Sequence, residues 1–352
     1  MALRPRPQVF DILIIGSGPA GLNAALACAR TRSTALVFDN QQYRNENVVH
    51  MHTVASRDHF NPREFGHISR SQIESRYDSV WFKQATITHA VKAALDLPEA
   101  AKPYNGFQVT DSNGARYLGK KLILATGSKD ILPDLDGYAQ NWPQHIYQCL
   151  ACDGYEQRGS SVGILDFNTP LYGHMVQMVL PLDPTSITIF SNGPLSKDAA
   201  VREAFKLAQA LGATLDDRRI VRLVNNGPSH TDGVTIYFET GQPVTLGFIV
   251  HKPQTVNRAQ ALIEQLGVET VEESQGGHVK IVNPMFNETS VRGVFAAGDT
   301  MVAMKQVAIA MAEGLKAAVG AGVQIGQEKA EDMVKGFEES EGDKEKVDVA
   351  SY

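Results

Sequence analysis

Hydrophobic and polar positions alternate in blocks that predict a β-α-β unit at the start of the chain. Residues 10–15 form a nearly continuous apolar run, which is typical of a parallel strand buried on both faces. A turn rich in small residues follows at 16–21, and apolar residues then recur at helical spacing over 22–29. A second apolar strand is expected over 34–38, and it ends in Asp39.

The turn between the first strand and the first helix has the spacing of a dinucleotide site. Its residues are Gly16, Ser17, Gly18, Pro19, Ala20 and Gly21. Closely spaced glycines let the backbone approach a pyrophosphate at a helix N-terminus, and an acid about twenty residues on is placed to bind a ribose. A tight turn without a ligand is the alternative. The strand, the helix and Asp39 together favour a dinucleotide.

Later apolar runs predict more strands of the same kind. Residues 122–127 and 293–299 each end in small or polar residues, and a helix is expected over about 306–319. In the middle of the chain, apolar strands are expected over 161–165 and 186–190. At 352 residues, the length itself suggests about two domains.

Two of the three cysteines, Cys149 and Cys152, form a CxxC pair. This spacing suits either a redox disulfide or half of a zinc site. A zinc site needs four ligands, Cys28 is the only other thiol, and no second CxxC or spaced histidine pair lies nearby. The spacing therefore favours redox chemistry, and we expect no metal. Cys28 lies on the first apolar helix and is expected to be an inert core residue.

The composition is that of a globular protein, with 43% hydrophobic and 20% charged residues. No apolar run reaches the length of a membrane span, and the first strand begins too early to leave room for a signal peptide. Few cysteines indicate a reducing compartment, so a cytoplasmic location is expected.

The net charge of −6 gives no reason to expect nucleic acid. Most of it falls in a tail over 328–352, which is expected to be disordered at its end.

Four motifs in order resemble the low-molecular-weight thioredoxin reductase family of flavoproteins. They are the GxGxxG turn, Ala125-Thr126-Gly127, the CxxCDG run from Cys149, and GVFAAGD at 293–299. The resemblance implies an α/β fold with two Rossmann-like, doubly wound domains. It also implies a discontinuous FAD domain over 8–132 and 251–327, a central CxxC-bearing domain over 133–250 that is of the NADPH-binding type, and a tail over 328–352.

The resemblance also implies roles for individual residues. The glycine turn would hold the FAD pyrophosphate, Asp39 the adenosine ribose and Asp299 the ribityl chain. The expected FAD residues are Gly16, Ser17, Gly18, Pro19, Ala20, Gly21, Asp39, Asn40, Gln42, Arg44, Asn45, His52, Ile87, Ala125, Thr126, Gly127, Asp299, Gln306 and Val307. Cys149 would exchange with substrate, Cys152 would lie beside the flavin, and Asp153 would move protons. The alternatives are that Asp153 only caps a helix and that His52 is a structural histidine.

The second nucleotide site departs from the thioredoxin reductase pattern. The strand at 161–165 leads into Asp166 and Phe167, where a phosphate-binding turn needs closely spaced glycines. The strand at 186–190 ends in Ser-Asn-Gly-Pro, without the basic cluster that binds the 2′-phosphate of NADPH in that family. We therefore expect this domain to keep the fold and to have lost the ligand.

A second departure lies in the segments 43–52 and 57–62. Their YRN, HMH and DH patterns, with CLACDGYE at the redox pair, resemble the fungal dithiol oxidases of the gliotoxin oxidase type. That resemblance implies a small dithiol substrate, often a diketopiperazine, and O2 as electron acceptor. Such oxidases commonly have His before the first cysteine, whereas this chain has Gln148.

Three hypotheses follow for the function. The first is an FAD-dependent dithiol oxidase that uses O2, and the resemblance implies a homodimer with no membrane partner. The second is a disulfide reductase that draws electrons from NADPH. The third is a flavin-containing redox sensor without catalytic activity. The altered turn at Asp166 argues against the second, and the complete set of redox motifs argues against the third.

Overall fold

The computed structural model describes residues 8–98 and 102–349. The first third of the chain contains β1 (Val9–Ile15), α1 (Pro19–Arg30), β2 (Ala35–Asp39), α2 (Pro62–Arg76), β3 (Val80–Gln84), β4 (Ile87–Leu95), β5 (Tyr104–Asp111), β6 (Arg116–Leu124) and β7 (Ser128–Ile131). The middle contains α3 (Tyr138–Asn141), β8 (Ile146–Tyr147), α4 (Leu150–Asp153), β9 (Ser161–Leu165), α5 (Leu171–Val179), β10 (Ser186–Phe190), α6 (Ala199–Ala210), β11 (Thr214–Asp216), β12 (Ile220–Asn225), β13 (Val234–Phe238), β14 (Val244–Leu246) and β15 (Phe248–Val250). The last part contains β16 (Gln254–Asn257), α7 (Gln260–Leu266), β17 (Ile281–Asn283), β18 (Glu288–Thr289), β19 (Val294–Ala296) and α8 (Val307–Val349).

The chain divides into two compact units. The first unit comprises residues up to 44, 63–129 and from 256 on, and the second comprises 45–62 and 130–255. We expected the central domain to begin at 133 and end at 250, and the segment 45–62 to belong with the FAD domain. The structure groups that segment with the second unit instead, because its side chains contact residues there.

The first unit is built on a nine-stranded sheet. Its main path has the order β17-β18-β19-β6-β1-β2-β3, and the five strands from β19 to β3 are parallel. Strand β5 pairs with β6 and also with β4. The strands β1 and β2 are almost wholly buried, as expected for a sheet covered on both faces.

The second unit is built on a smaller parallel sheet with the order β11-β10-β9-β15-β8. The helices α5 and α6 contribute Tyr172, Val176 and Phe205 to the core beside β9 and β10. An antiparallel sheet, β12-β13-β14, completes the unit. The parallel strands of the two main sheets, with their covering helices, confirm the predicted fold class of two Rossmann-like domains.

The helix α8 is much longer than predicted. We expected a helix over about 306–319 and a tail, disordered at its end, over 328–352, but the helix continues to Val349. The last residues of that tail, 350–352, lie outside the described residues. The residues 328–349 contain no proline and are rich in Glu and Lys, which favour helix.

The same helix corrects the expectation about membrane spans. By length and composition alone, Val307–Glu338 is apolar enough to cross a membrane, and 39% of its most apolar part is buried within the protein. The buried part includes Ala310, Ala317 and Ala321, which pack in the core with α1. A Cβ at Gly314 would lie 2.0 Å from the carbonyl oxygen of Ala20, so the two helices are in close backbone contact.

Candidate redox site and cofactor cradle

The two predicted redox cysteines are joined in a disulfide. Cys149 lies at the N-cap of α4 and Cys152 lies in its first turn, with Cα atoms 5.2 Å apart. The carbonyl oxygen of Cys149 accepts hydrogen bonds from the backbone N–H groups of Cys152 and Asp153, both at 3.1 Å. One helical turn therefore holds both sulfurs and the neighbouring carboxyl group together.

Asp153 has the electrostatic properties of an acid–base group. Burial raises the pKa of its carboxyl to about 7, and the nearby negative charge of Glu156 contributes to the same shift. Asp153 is the last residue of α4, and no side-chain capping bond is present at the start of α4 or of the 3-10 turn that follows. A carboxyl group that titrates near neutral pH can accept and return protons during thiol chemistry.

The third cysteine takes no part in this site. Cys28 is 1% exposed and lies in the alanine-rich core around α1. Burial raises the pKa of its thiol to about 12, so the nucleophilic thiolate is not formed near neutral pH. The expectation of an inert core cysteine agrees with this burial.

Next to α4 the second unit contains a histidine cluster that sequence reasoning did not assemble. A β-bridge between Met51 and Phe60 places their neighbours His52 and His59 opposite each other. Nε2 of His52 lies 3.1 Å from Nδ1 of His59 and 3.6 Å from Oε1 of Glu156. The ring of His50 stacks on that of His59 at 3.8 Å. No local spacing signals this cluster, because Glu156 is far from the histidines in the chain.

In the first unit, most of the predicted cofactor residues gather at one edge of the sheet. The glycine turn follows β1, Asp39 ends β2, Ala125 to Gly127 follow β6, and Asp299 follows β19. These four strands are neighbours and parallel, so their carboxyl ends meet. Ligands of open α/β sheets bind in the crevice outside such strand ends. Gln306 and Val307 stand at the start of α8 in the same unit.

The glycine turn has the shape that a pyrophosphate needs. A Cβ at Gly21 would lie 1.9 Å from the carbonyl oxygen of Gly16, so that position serves the close packing of α1 on β1. A Cβ at Gly18 would meet nothing within 4 Å, so its backbone faces open space at the N-terminus of α1. No side chain caps that N-terminus, which leaves its N–H groups to a phosphate. The residues present therefore fit FAD.

Polar contacts organise the rest of this edge. Asp39 is 5% exposed and accepts hydrogen bonds from the Gln41 N–H at 2.8 Å and the Tyr43 hydroxyl at 2.6 Å. These bonds shape the turn that carries Asn40, Gln42 and Arg44. The Arg44 guanidinium forms an ion pair with Asp299 at 3.2 Å. The predicted ribose ligand and the predicted ribityl ligand thus each have a defined position.

Three predicted cofactor residues do not follow the ends of these strands. Asn45 and His52 belong to the segment grouped with the second unit. The Nδ1 atom of His52 is buried and has no hydrogen-bond partner among the described residues. Ile87 begins β4, and its side chain is 8% exposed in a core cluster of the first unit.

The second nucleotide turn is closed by its own side chains. Asp166 has a positive φ of 60°, and its carboxylate accepts a hydrogen bond from the Asn168 side chain at 2.7 Å. The backbone N–H of Asn168 donates to the Asp166 carbonyl oxygen. Phe167 is 2% exposed and packs against Tyr172 and Phe205. A phosphate at this turn would meet the Asp166 carboxylate. It would also lack the Asn168 N–H as a donor, because that group already bonds to the Asp166 carbonyl oxygen.

The end of β10 differs from the prediction in one respect. The sequence after this strand has no basic cluster, but the tertiary fold brings Arg219 to this turn, where it donates to the Asn192 carbonyl oxygen at 2.8 Å. Its guanidinium also lies against Gly193, close to where a Cβ would be. The neighbouring Arg218 is paired with Asp216 at 2.6 Å. Arg219 therefore supplies an exposed guanidinium to the turn at the end of β10.

Comparisons with known proteins agree with this architecture. Residues 10–165 match the family described as pyridine nucleotide-disulphide oxidoreductase. The chain is 36% identical to thioredoxin reductase sirT of Leptosphaeria maculans, over 90% of this chain and 95% of the relative. It is 38% identical to thioredoxin reductase tcpT of Claviceps purpurea, with the same coverage. An oxidoreductase structure from Agrobacterium tumefaciens superposes with a TM-score of 0.78 at 28% identity, covering 90% of this chain and 98% of that one. The chain belongs to the thioredoxin reductase-like flavoproteins of the pyridine nucleotide-disulphide oxidoreductase family, whose cofactor is FAD.

Proposed function

We propose that the protein is an FAD-dependent dithiol oxidase that closes a disulfide bridge in a small sulfur-containing natural product of the epidithiodiketopiperazine type. O2 is the electron acceptor, and H2O2 is the second product. The observation that carries this proposal is the closed turn at Asp166 and Phe167, combined with an intact Cys149–Cys152 disulfide. An enzyme that keeps the redox pair but loses its NADPH site needs another partner for its electrons.

The altered turn opposes nucleotide binding for two physical reasons. Burial raises the pKa of Asp166, which reflects how poorly this site solvates a negative charge, and a phosphate would bring further negative charge beside it. The buried Phe167 ring also occupies core volume between Tyr172 and Phe205, so removing it would leave a cavity. Through Phe167, the turn is part of the hydrophobic core of the second unit, and its shape is fixed by that packing.

The exchange chemistry proceeds in two balanced steps at the cysteine pair. A substrate thiolate attacks the Cys149 sulfur, the Cys149–Cys152 bond breaks, and Cys152 leaves as a thiolate. The second substrate thiolate then attacks the substrate sulfur of the mixed disulfide and releases Cys149. The product carries a new disulfide, and the enzyme holds two additional electrons as a dithiol. When bound, FAD takes these electrons and passes them to O2.

Asp153 manages the protons of these steps. Its ionised carboxylate accepts a proton from a substrate thiol and returns it to a cysteine thiolate as the pair is reduced. The raised pKa of about 7 brings both protonation states within reach at neutral pH. Because Gln148 replaces the histidine that such oxidases commonly carry, the proposal assigns this work to Asp153.

A disulfide reductase supplied by NADPH is the second candidate. Two observations favour it: the relatives sirT and tcpT are named thioredoxin reductases, and Arg219 stands at the end of β10. Against it, the Arg219 guanidinium already binds the Asn192 carbonyl oxygen and the turn at Asp166 is closed. We rank it below the oxidase for that reason.

The proposal includes the setting of the reaction. The substrate is a small dithiol held by enclosure and apolar contacts around a few polar anchors, rather than a protein docked on an open face. The enzyme acts as a homodimer in the cytoplasm and has no nucleic-acid or membrane partner. The homodimer is testable by light scattering on the purified flavoprotein.

The deciding experiment supplies the air-equilibrated flavoprotein with a reduced epidithiodiketopiperazine or with reduced thioredoxin, each with and without NADPH. We expect peroxide to form with the small dithiol alone, in equal amount to the disulfide product and unaffected by NADPH. The Cys149→Ser variant, loaded with FAD, is the matched control and should form neither product. Rapid anaerobic bleaching of the flavin by NADPH would restore the reductase. Comparable or greater peroxide production with thioredoxin would exclude a small-molecule oxidase.

A further inference from the structure

Three potential metal-ligand atoms in the second unit converge on one point. They are Nε2 of His52, Nδ1 of His59 and Oε1 of Glu156, and all lie within 4.8 Å of one another. Their separations are 3.1 Å between the two nitrogens, 3.6 Å from His52 to Glu156 and 4.0 Å from His59 to Glu156. The carboxylate is too far from either ring for an ordinary hydrogen bond.

These distances fit one face of a tetrahedral metal site. A triangle with these sides has a centre about 2.1 Å from each corner, so an ion in the plane of the three atoms would be at the usual zinc distances of roughly 2.0–2.2 Å. A tetrahedral ion lies outside that plane, and its ligand atoms are about 3.3–3.4 Å apart. The separation of His59 and Glu156 must therefore shorten by about 0.6 Å, and the two nitrogens must move apart by about 0.3 Å. The fourth position would remain for water.

The backbone presents these ligands in a fixed arrangement. Hydrogen bonds between Met51 and Phe60 at 2.8 and 3.2 Å hold the two histidines opposite each other. The Asp58 side chain closes the loop between them by accepting from the Thr53 N–H at 2.8 Å. The His50 ring stacks on His59 and limits its rotation. Glu156 comes from the 3-10 turn that directly follows α4.

The site is accessible from solvent without being fully exposed. The side chains of His52, Glu156 and His59 are 11%, 26% and 55% exposed. An ion can therefore enter past His59, while its other ligands are largely shielded from water. Imidazole ligands select transition metals over Mg²⁺ and Ca²⁺.

We propose that His52, His59 and Glu156 form a binding site for a divalent transition-metal ion of the zinc class. The ion would join the segment 45–62 to the turn that follows the redox helix, because its ligands come from both. The sequence expectation of no metal rested on the lack of further cysteines and of a spaced histidine pair near the CxxC motif. This site uses no cysteine, and its two histidines meet through the Met51–Phe60 bridge. The site is independent of the proposed oxidase activity, so its test requires no turnover.

Calorimetric titration of the FAD-loaded, air-oxidised protein with Zn²⁺, after chelator treatment and dialysis, measures this site directly. The disulfide excludes zinc binding by Cys149 and Cys152 under these conditions. We expect one ion per chain in the wild type. His59→Asn and Glu156→Gln should each weaken binding at least tenfold, because each removes a ligand. His67→Asn, an exposed histidine on α2, should leave binding unchanged.

Co²⁺ gives a second measurement on the same samples. A tetrahedral Co²⁺ site adds visible absorption at wavelengths longer than the flavin bands, and the His59→Asn protein should lack it. Flavin content and circular dichroism confirm that each variant is folded. Absence of saturable Zn²⁺ binding by the wild type at millimolar concentration would overturn the proposal. Equal affinity in wild type, His59→Asn and Glu156→Gln would also overturn it.

Discussion

The backbone N–H of Asp153 donates to the carbonyl oxygen of Cys149 across 3.1 Å, so the acid and the first redox cysteine share one helical turn. The same carbonyl accepts from Cys152, which leaves little freedom among the three residues. In the proposed mechanism, this backbone geometry would couple proton transfer at Asp153 to disulfide exchange at Cys149. The first three predictions test the consequences of this arrangement.

Replacing the carboxyl group should remove proton transfer while keeping the disulfide. We expect Asp153→Asn to lower turnover of a small dithiol by about 10²-fold or more, the usual contribution of a general base. Wild-type turnover should rise with pH through about 7 as the carboxylate forms, and the variant should lack that rise. Steady-state peroxide production across pH measures both effects.

Glu156→Gln is the control variant. It removes a negative charge near Asp153, so the rise of turnover with pH should move to lower pH. An unchanged pH profile in Asp153→Asn would contradict the assignment.

The same substitution should affect stability in a pH-dependent way. The Asp153 pKa is raised from 3.8 to about 7 on folding, so the folded protein binds more protons than the unfolded chain between these values. The free energy of unfolding contributed by this group therefore falls as pH rises through that window. Asp153→Asn should be more stable than wild type at pH 8, by on the order of 2 kcal/mol, and nearly equal at pH 4. Denaturant unfolding at both pH values measures the difference. A constant difference at both values would contradict the raised pKa.

The two cysteines should form different covalent products. If Cys149 is the exchanging residue, air-oxidised Cys152→Ser should form a mixed disulfide with an asymmetric small-molecule disulfide, whereas Cys149→Ser should form much less. Intact-mass spectrometry after alkylation of free thiols detects the adduct. Cys28→Ser is the matched control and should behave as wild type, because that thiol is buried. Adduct formation only at Cys152 would mean that the roles are exchanged.

Two glycines of the cofactor turn should respond differently to alanine. Gly18→Ala places its methyl group in open space beside the N-terminus of α1, so the apoprotein should keep its stability to within about 0.5 kcal/mol. FAD affinity should fall at least tenfold, because the methyl group occupies the pyrophosphate position. Gly21→Ala meets the Gly16 carbonyl oxygen at 1.9 Å and should destabilise the apoprotein by about 3 kcal/mol or more. Flavin fluorescence titration and unfolding of the apoproteins separate the two effects. Equal FAD affinity in Gly18→Ala and wild type would contradict the cradle.

The sequence by itself determined those parts of the molecule in which neighbouring residues do the work. The glycine turn between β1 and α1, the CxxC pair and the altered turn at Asp166 are contiguous motifs. Their backbone conformations and chemistry follow from local residue types, such as glycine where backbones touch. The strands around them were predictable because burial on both faces leaves a continuous apolar pattern.

Tertiary structure alone decided how distant segments meet. The Met51–Phe60 bridge brings His52 and His59 to Glu156, and nothing in their spacing indicates that meeting. Arg219 reaches the end of β10 in the same way. The segment 45–62 joins the second unit although the chain on both sides of it belongs to the first. Local propensity carries no information about such pairs, because their proximity depends on the packing of whole sheets and helices around two separate cores.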